Sequence, residues 1–296
     1  MGSKLSITCY ANDAHRQAEL ALICWDLVDS LNQIFSDYIS DSEARCLTST
    51  ATHMPIPVSR PLFDLIQKSN HISKLTDGHF DITVGSLTQL WRYHLQQDEV
   101  PRRREINQAK QKVDYRFITL QEGNQTVQFK QAVSLDFGGI AKGYIGDCLA
   151  NLLDSLDIHQ YLIDMGGDLI AGVPPPGQDH WIVKIPWFGH TIGIANEAVA
   201  TSGPDYQFFV HQGQKYAHII DPNTGWGISH PFSTTVIAPN GWLADGLASA
   251  IAISEPELSE QILQEFSSVD YAFGIDHQIY QSRRFEKLVD NISRKN

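Results

Sequence analysis

The sequence predicts an α+β fold, with mixed β-sheets covered by helices around a cleft. Three observations carry that reading. A long helical apolar period lies near the N-terminus, and the second half is dense in short apolar runs bounded by turn residues. Strands and helices also do not alternate in strict βαβ order, which disfavours a doubly wound parallel sheet.

A first strand is expected at Ser6 to Tyr10, where polar and apolar residues alternate. Ala11-Asn-Asp13 then offers caps for a long helix, in which Ala18, Ala21, Leu22, Trp25, Val28, Leu31 and Phe35 recur at helical spacing. A polar loop around Asp41-Ser-Glu43 leads to a second helix that starts near Ser59 and Pro61, with Leu62, Leu65, Ile66, Ser69 and Ile72 on one face. Residues 92 to 112 are strongly polar and predict an exposed helix or insertion. Phe117 to Leu120 and Thr126 to Phe129 flank Glu122-Gly-Asn-Gln125, a hairpin signal. A strand is expected to end at Ser134 to Asp136, before a helix from Ile140 to Leu156. Further strands are expected at Tyr161 to Met165, Trp181 to Ile185, Thr191 to Ile194, Phe208 to Val210 and Thr234 to Ile237. Helices follow at Trp242 to Ile253 and Pro256 to Phe266, while Val173-Pro-Pro-Pro-Gly177 reads as a stiff surface turn. With no repeat or convincing linker, residues 1–296 are expected to form one domain.

Composition narrows the function classes. The chain is 42% hydrophobic and 19% charged, as in an ordinary globular protein. Its net charge of −12 disfavours a nucleic-acid partner, because phosphate backbones demand clustered Lys and Arg. The one basic run, Arg102-Arg-Arg-Glu105, reads as a solvated face. Four cysteines lack CxxC spacing, which argues against zinc; Cys24 and Cys148 read as small core residues. No apolar run approaches the roughly 20 residues that span a bilayer, and the N-terminus opens without a signal-peptide core.

Three glycine-centred segments carry the chemistry. Asp136-Phe-Gly-Gly-Ile-Ala-Lys-Gly143 reads as a strand end, a glycine bend and a helix N-terminus whose first-turn amides and Lys142 could hold a diphosphate. It is neither a kinase motif nor a P-loop, since their accompanying residues are missing. Asp245 and Ser249 stand four apart on a predicted helix, so both oxygens face one way, and both are hard ligands suited to magnesium. His218-Ile-Ile-Asp-Pro-Asn-Thr-Gly225 reads as a strand running into a tight turn, with Asp221 and Thr224 bonding the turn backbone. His218 is a candidate acid–base group because histidine titrates near neutrality. Each segment also has a purely structural explanation: a plain turn, an exposed acid beside a small packing residue, a capped bend.

Taken in this order, with Asp77-Gly-His-Phe-Asp-Ile-Thr-Val-Gly85 upstream, the segments resemble the ApbE-like flavin transferases over nearly the whole chain. That family moves FMN from FAD onto a threonine of another protein, using magnesium. The resemblance implies a duplicated, T-fold-like architecture with FAD in a cleft between two lobes and its diphosphate near Gly139 and Lys142. Mg²⁺ would be bound by Asp245, Ser249 and the Gly139 carbonyl; the family has threonine where this chain has Ser249. His218 and Asp221 become the candidate catalytic residues. Met1, Tyr38, His79, Phe80, Asp81, Asp136, Lys142 and Ile220 become the candidate cofactor-binding residues. His79 and Ile82 replace the family's usual alanine and proline. The implied partner is an acceptor flavoprotein subunit carrying the target threonine. A membrane would be met only through that acceptor or through a missing N-terminal leader. The expected location is the bacterial cell envelope or periplasm if an export leader has been removed, and the cytoplasm otherwise. Two alternatives stand beside the transferase. One is an Mg-dependent FAD pyrophosphatase, in which water replaces threonine; the other is a non-catalytic FAD-binding or trafficking protein.

Overall fold

The computed structural model describes residues 4–10, 14–52, 54–203, 208–211, 214–217, 219–228, 233–254, 256–275 and 278–293. The first half contains β1 (Leu5–Cys9), α1 (Ala14–Phe35), α2 (Glu43–Thr50), β2 (Ile56–Pro57) and α3 (Arg60–Leu75). Next come α4 (Gly85–Gln96), α5 (Arg103–Lys110), β3 (Ile118–Gln121), β4 (Thr126–Phe129) and α6 (Ala141–Ser155). The second half opens with β5 (Tyr161–Met165), β6 (Leu169–Ala171), β7 (Trp181–Ile185), β8 (His190–Ile194), β9 (Glu197–Ser202), β10 (Phe208–His211) and β11 (Gln214–Ala217). It closes with β12 (Ser233–Ala238), α7 (Gly241–Ile253), α8 (Pro256–Gln264), β13 (Asp270–Ile275), β14 (Gln278–Gln281) and α9 (Arg283–Ser293).

Seven strands form the main sheet, in the order β1-β5-β6-β9-β12-β13-β14, and every pairing in it is antiparallel. Alternate residues serve different cores. Ala198, Ala200, Val236 and Phe273 face the large cluster under α6 and α7, whereas Val199, Ile237 and Ala272 face a second cluster. That second cluster is closed by the β7–β8 hairpin and by Phe285 of α9. Both faces of the central strands are therefore buried, and β12 is apolar or small at most positions rather than alternating. A small third cluster, built on Leu87, Trp91, Ile106 and Ile220, ties α4 and α5 to the turn after Ile220.

The predicted α3 starts where its sequence says, with the Ser59 hydroxyl accepting from Leu62 N at 3.4 Å and Pro61 in the first turn. The hairpin is also as expected; its turn ends on Gln125 in a left-handed conformation, φ 50°. Three expectations are corrected. The buried stripe of α1 is Leu20, Cys24, Leu31 and Phe35, whereas Ala18 and Ala21 are exposed and Leu22 and Trp25 are 66% and 62% exposed. The helix packs on one side only, and that side is rotated from the one the largest apolar residues suggest. The supposed loop at Asp41-Ser-Glu43 opens α2, capped by the Ser42 hydroxyl on Arg45 N at 3.2 Å. Ser134 to Asp136 makes a single parallel bridge with Val84 rather than a strand, because the chain bends at once through Gly138 and Gly139 into α6. Residues 92 to 112 do contain the expected polar helix, α5, exposed or half-buried along its length except at Ile106, which is fully buried against α4 and anchors it.

One side chain ties α6 to the start of α7. Asp147 of α6 accepts the Gly241 and Trp242 amides at 2.6 and 2.9 Å, capping α7 from a neighbouring helix. Burial raises its carboxyl to about 6, against the lowering effect of those two amide bonds. Asp147→Ala should cost about 1–2 kcal/mol, the scale of a lost cap, read by chemical denaturation. Unchanged stability would mean that the cap is not what fixes α7.

Candidate active site

A single cleft of about 1090 Å³ gathers segments that are far apart in the sequence. Asp136, Gly138, Gly139 and Lys142 line it from the turn into α6, Asp245 and Ser249 from α7, and His79, Phe80 and Asp81 from the loop before α4. Ile219, Ile220 and Pro222 line it from the turn after β11, and Tyr38 from the segment after α1.

The polar end is built by the crossing of α6 and α7. Asp245, 4% exposed, accepts the Gly143 amide at 3.0 Å through one oxygen. Its other oxygen lies 4.0 Å from Lys142 Nζ, which is salt-bridged to Asp168, itself 3% exposed. Asp168 reaches the site from the β5–β6 turn, where Gly166 and Gly167 take φ of 74° and 106°. A Cβ at Gly167 would meet nothing, so its glycine is required by backbone conformation rather than by crowding. At Gly139 the reverse holds: a Cβ there would come within 2.8 Å of Ser249 Oγ. Gly139 therefore runs directly against Ser249, one turn along α7 from Asp245.

That arrangement fits a hard cation. Among the described residues no group of three or more His, Cys, Asp or Glu is disposed as metal ligands. A magnesium ion here would draw on one carboxylate, one hydroxyl and one backbone carbonyl, leaving positions for water and phosphate oxygens, as this ion prefers. The expected diphosphate cradle is narrower than its sequence suggests. Ala141 N donates to Phe137 O at 2.8 Å and Gly143 N to Asp245, so two first-turn amides are already used. Lys142 supplies the positive charge at this end.

The other end is aromatic and ionic. Tyr38 is 78% exposed, so it is not a core residue, and the Arg92 guanidinium lies 4.3 Å from its ring centroid. Arg92 bridges two carboxylates, Asp37 and Asp136, the latter at 2.8 Å. Asp136 also accepts from Thr88 Oγ1 at 2.7 Å and from Gly138 N at 2.8 Å, so its carboxylate braces the glycine turn. Burial raises the Asp37 carboxyl, and the neighbouring Asp136 raises it further, while Arg92 opposes both. Trp91 and Tyr216 add a second aromatic wall, with ring centroids 5.4 Å apart.

Two predicted site residues, Met1 and His218, lie outside the described residues. Asp221 is turned to structure: its carboxylate accepts Asn223 N at 2.8 Å, its N–H donates to Trp226 O, and Pro222 rather than Asp221 lines the cleft. One oxygen of that carboxylate thus closes an Asx-type turn beside the cleft. Asp81 borders the cleft but is held by Thr83 N and Oγ1 and by Tyr115 N at 2.7–2.8 Å. Burial raises its carboxyl to about 6 despite those bonds. Sequence reasoning missed Asp37, Thr88 and Arg92 as site residues. The signal available was a lone arginine on the polar continuation of a helix, which by itself points nowhere.

Known proteins provide the comparison. The ApbE family is matched over residues 1–273. A FAD:protein FMN transferase of Escherichia coli (strain K12) is 28% identical over 306 residues, covering 96% of this chain and 85% of the relative. One from Chlamydia trachomatis is 30% identical over 245 residues, covering 81% of this chain and 76% of the relative. Among solved structures, the flavin transferase ApbE from Vibrio cholerae matches with a TM-score of 0.85 at 25% identity, covering 97% of this chain and 96% of that one. The ApbE protein from Thermotoga maritima matches with a TM-score of 0.87 at 26% identity over the same shares. With the family matched over residues 1–273 and the fold in agreement over nearly the full length, this chain belongs to the ApbE family.

Proposed function

We propose that this chain is an FAD:protein FMN transferase, moving FMN from FAD to a threonine hydroxyl of an acceptor flavoprotein with release of AMP. One observation carries the reading: three sequence-distant segments converge on one cleft that is polar at one end and aromatic at the other. The FMN half of FAD together with the diphosphate has that polarity, a planar isoalloxazine at one end and charged phosphates at the other. The Gly139 carbonyl, Asp245 and Ser249 would hold Mg²⁺, which when bound supplies neutralising charge to the diphosphate. Lys142, placed beside Asp168 and Asp245, draws the diphosphate to that end and offsets charge that builds on it. The threonine oxygen attacks the FMN-side phosphorus, the bond to the AMP oxygen breaks, and the hydroxyl proton is lost. His218 is our candidate to take that proton, because an imidazole titrates near neutrality. Exclusion of water from the cleft decides between transfer and hydrolysis.

The test mixes the protein with FAD, Mg²⁺ and a flavoprotein subunit bearing an accessible threonine in a short Asp-containing segment. The acceptor should gain the mass of one FMN unit on that threonine, with AMP released in equal amount. Free FMN and AMP without a modified acceptor, across several such subunits, would make the protein an FAD pyrophosphatase instead. No turnover with tight FAD binding would make it a carrier.

A further inference from the structure

Arg92 stands outside the chemistry just described, yet its surroundings are built. Its side chain is 30% exposed, and the two carboxylates it bridges are 9% and 10% exposed, so three charges are drawn together at the cleft mouth. Such a cluster is costly to bury and loses more when one member is removed than it gains when complete. The two acids come from different parts of the chain. Asp37 directly precedes Tyr38, and Asp136 opens the turn that leads to Gly139. A single guanidinium thus ties the segment bearing the exposed ring to the segment bearing the polar end. Its planar fork suits the task, since two nitrogens can each take one carboxylate while the plane lies over the tyrosine. An exposed tyrosine without that cover would sample several rotamers.

We propose that Arg92 is a positioning residue for the flavin: gripped by Asp37 and Asp136, it holds the Tyr38 ring across the cleft mouth as a stacking wall. The guanidinium covers one face of the ring, and the isoalloxazine stacks on the other. The wall is also set at a fixed distance from Gly139, because Asp136 holds both Arg92 and the Gly138 amide. Affinity then comes from preorganisation, since the ring is ordered before the ligand arrives. This inference rests on FAD being the donor.

Calorimetric titration of the whole protein with FAD, FMN and ADP separates the two ends of the cleft. Arg92→Gln should weaken FAD and FMN by about tenfold and leave ADP within about twofold of wild type. Tyr38→Leu should do the same, and the double variant should be no weaker than either single change, because both remove one stacked unit. Arg92→Lys should fall between, having the charge but not the fork. If Arg92→Gln does not fold, Asp37→Asn combined with Arg92→Gln removes the orphaned carboxylate and gives the same reading. Equal losses for FMN and ADP, an unaffected FMN affinity, or strictly additive effects of Arg92 and Tyr38 would overturn the positioning role alone. Wild-type protein that binds neither FAD nor FMN would overturn the FAD reading and this inference with it.

Discussion

Asp245→Asn is expected to cut AMP release by about a hundredfold or more while leaving the protein folded. Asp245 is buried on α7, and one of its oxygens accepts the Gly143 amide. Asparagine keeps that acceptor and nearly the same shape, so the crossing of α6 and α7 survives and melting should shift little. What disappears is the negative charge facing Lys142 and the proposed magnesium position. A neutral amide oxygen is a poor substitute for a carboxylate toward a divalent cation. Ser249→Ala should cost about tenfold or less, because water can replace a neutral ligand. Magnesium titrations of turnover, paired with direct calorimetry of Mg²⁺ in the presence of ADP, separate lost affinity from lost chemistry. Near wild-type AMP release by Asp245→Asn at saturating Mg²⁺ would remove Asp245 from the metal assignment.

Local sequence signals survived into the structure; interactions between distant segments left no trace to read. Ser59 and Pro61 start α3 because capping depends on a few adjacent residues. Asp245 and Ser249 share a face because helical spacing dictates it. Gly138 and Gly139 bend the chain into α6 as expected, and Ile220 and Tyr38 do border the cleft. By contrast, the pairs Arg92–Asp37, Arg92–Asp136 and Lys142–Asp168 join residues that no periodicity links. At Asp221 turn chemistry and a catalytic role call for the same residue type, and the structure shows the turn bond to Asn223 N. On α1, the size of Leu22 and Trp25 suggested a face that the helix turns outward. Strands such as Glu197–Ser202 escaped notice because small residues buried on both faces carry no alternation.

The second large effect concerns Gly143, where alanine is expected to destabilise the fold by about 3 kcal/mol and lower the melting temperature by roughly 6–12 °C. A Cβ on Gly143 would lie 2.1 Å from the carbonyl oxygen of Gly241 and 2.4 Å from its carbon. The contact is reciprocal, since a Cβ on Gly241 would come within 2.5 Å of the Gly143 carbonyl. Both neighbours are backbone, and α7 is fixed at that point by the Asp147 cap, so neither helix can yield by rotating a side chain. Gly246 gives the contrast: its Cβ would meet the tip of Ile72 at 2.2 Å, and a flexible tip can move aside. Gly123, whose Cβ would touch nothing, is the neutral control. Turnover should fall further than the loss of folded protein explains. Pushing α6 away from α7 separates Gly139 from Ser249 and breaks the Gly143 amide's bond to Asp245, which together define the polar end of the cleft. Wild-type melting and wild-type AMP release in Gly143→Ala would show that the two helices do not need this approach, and would leave the assembly of the metal position without its structural basis.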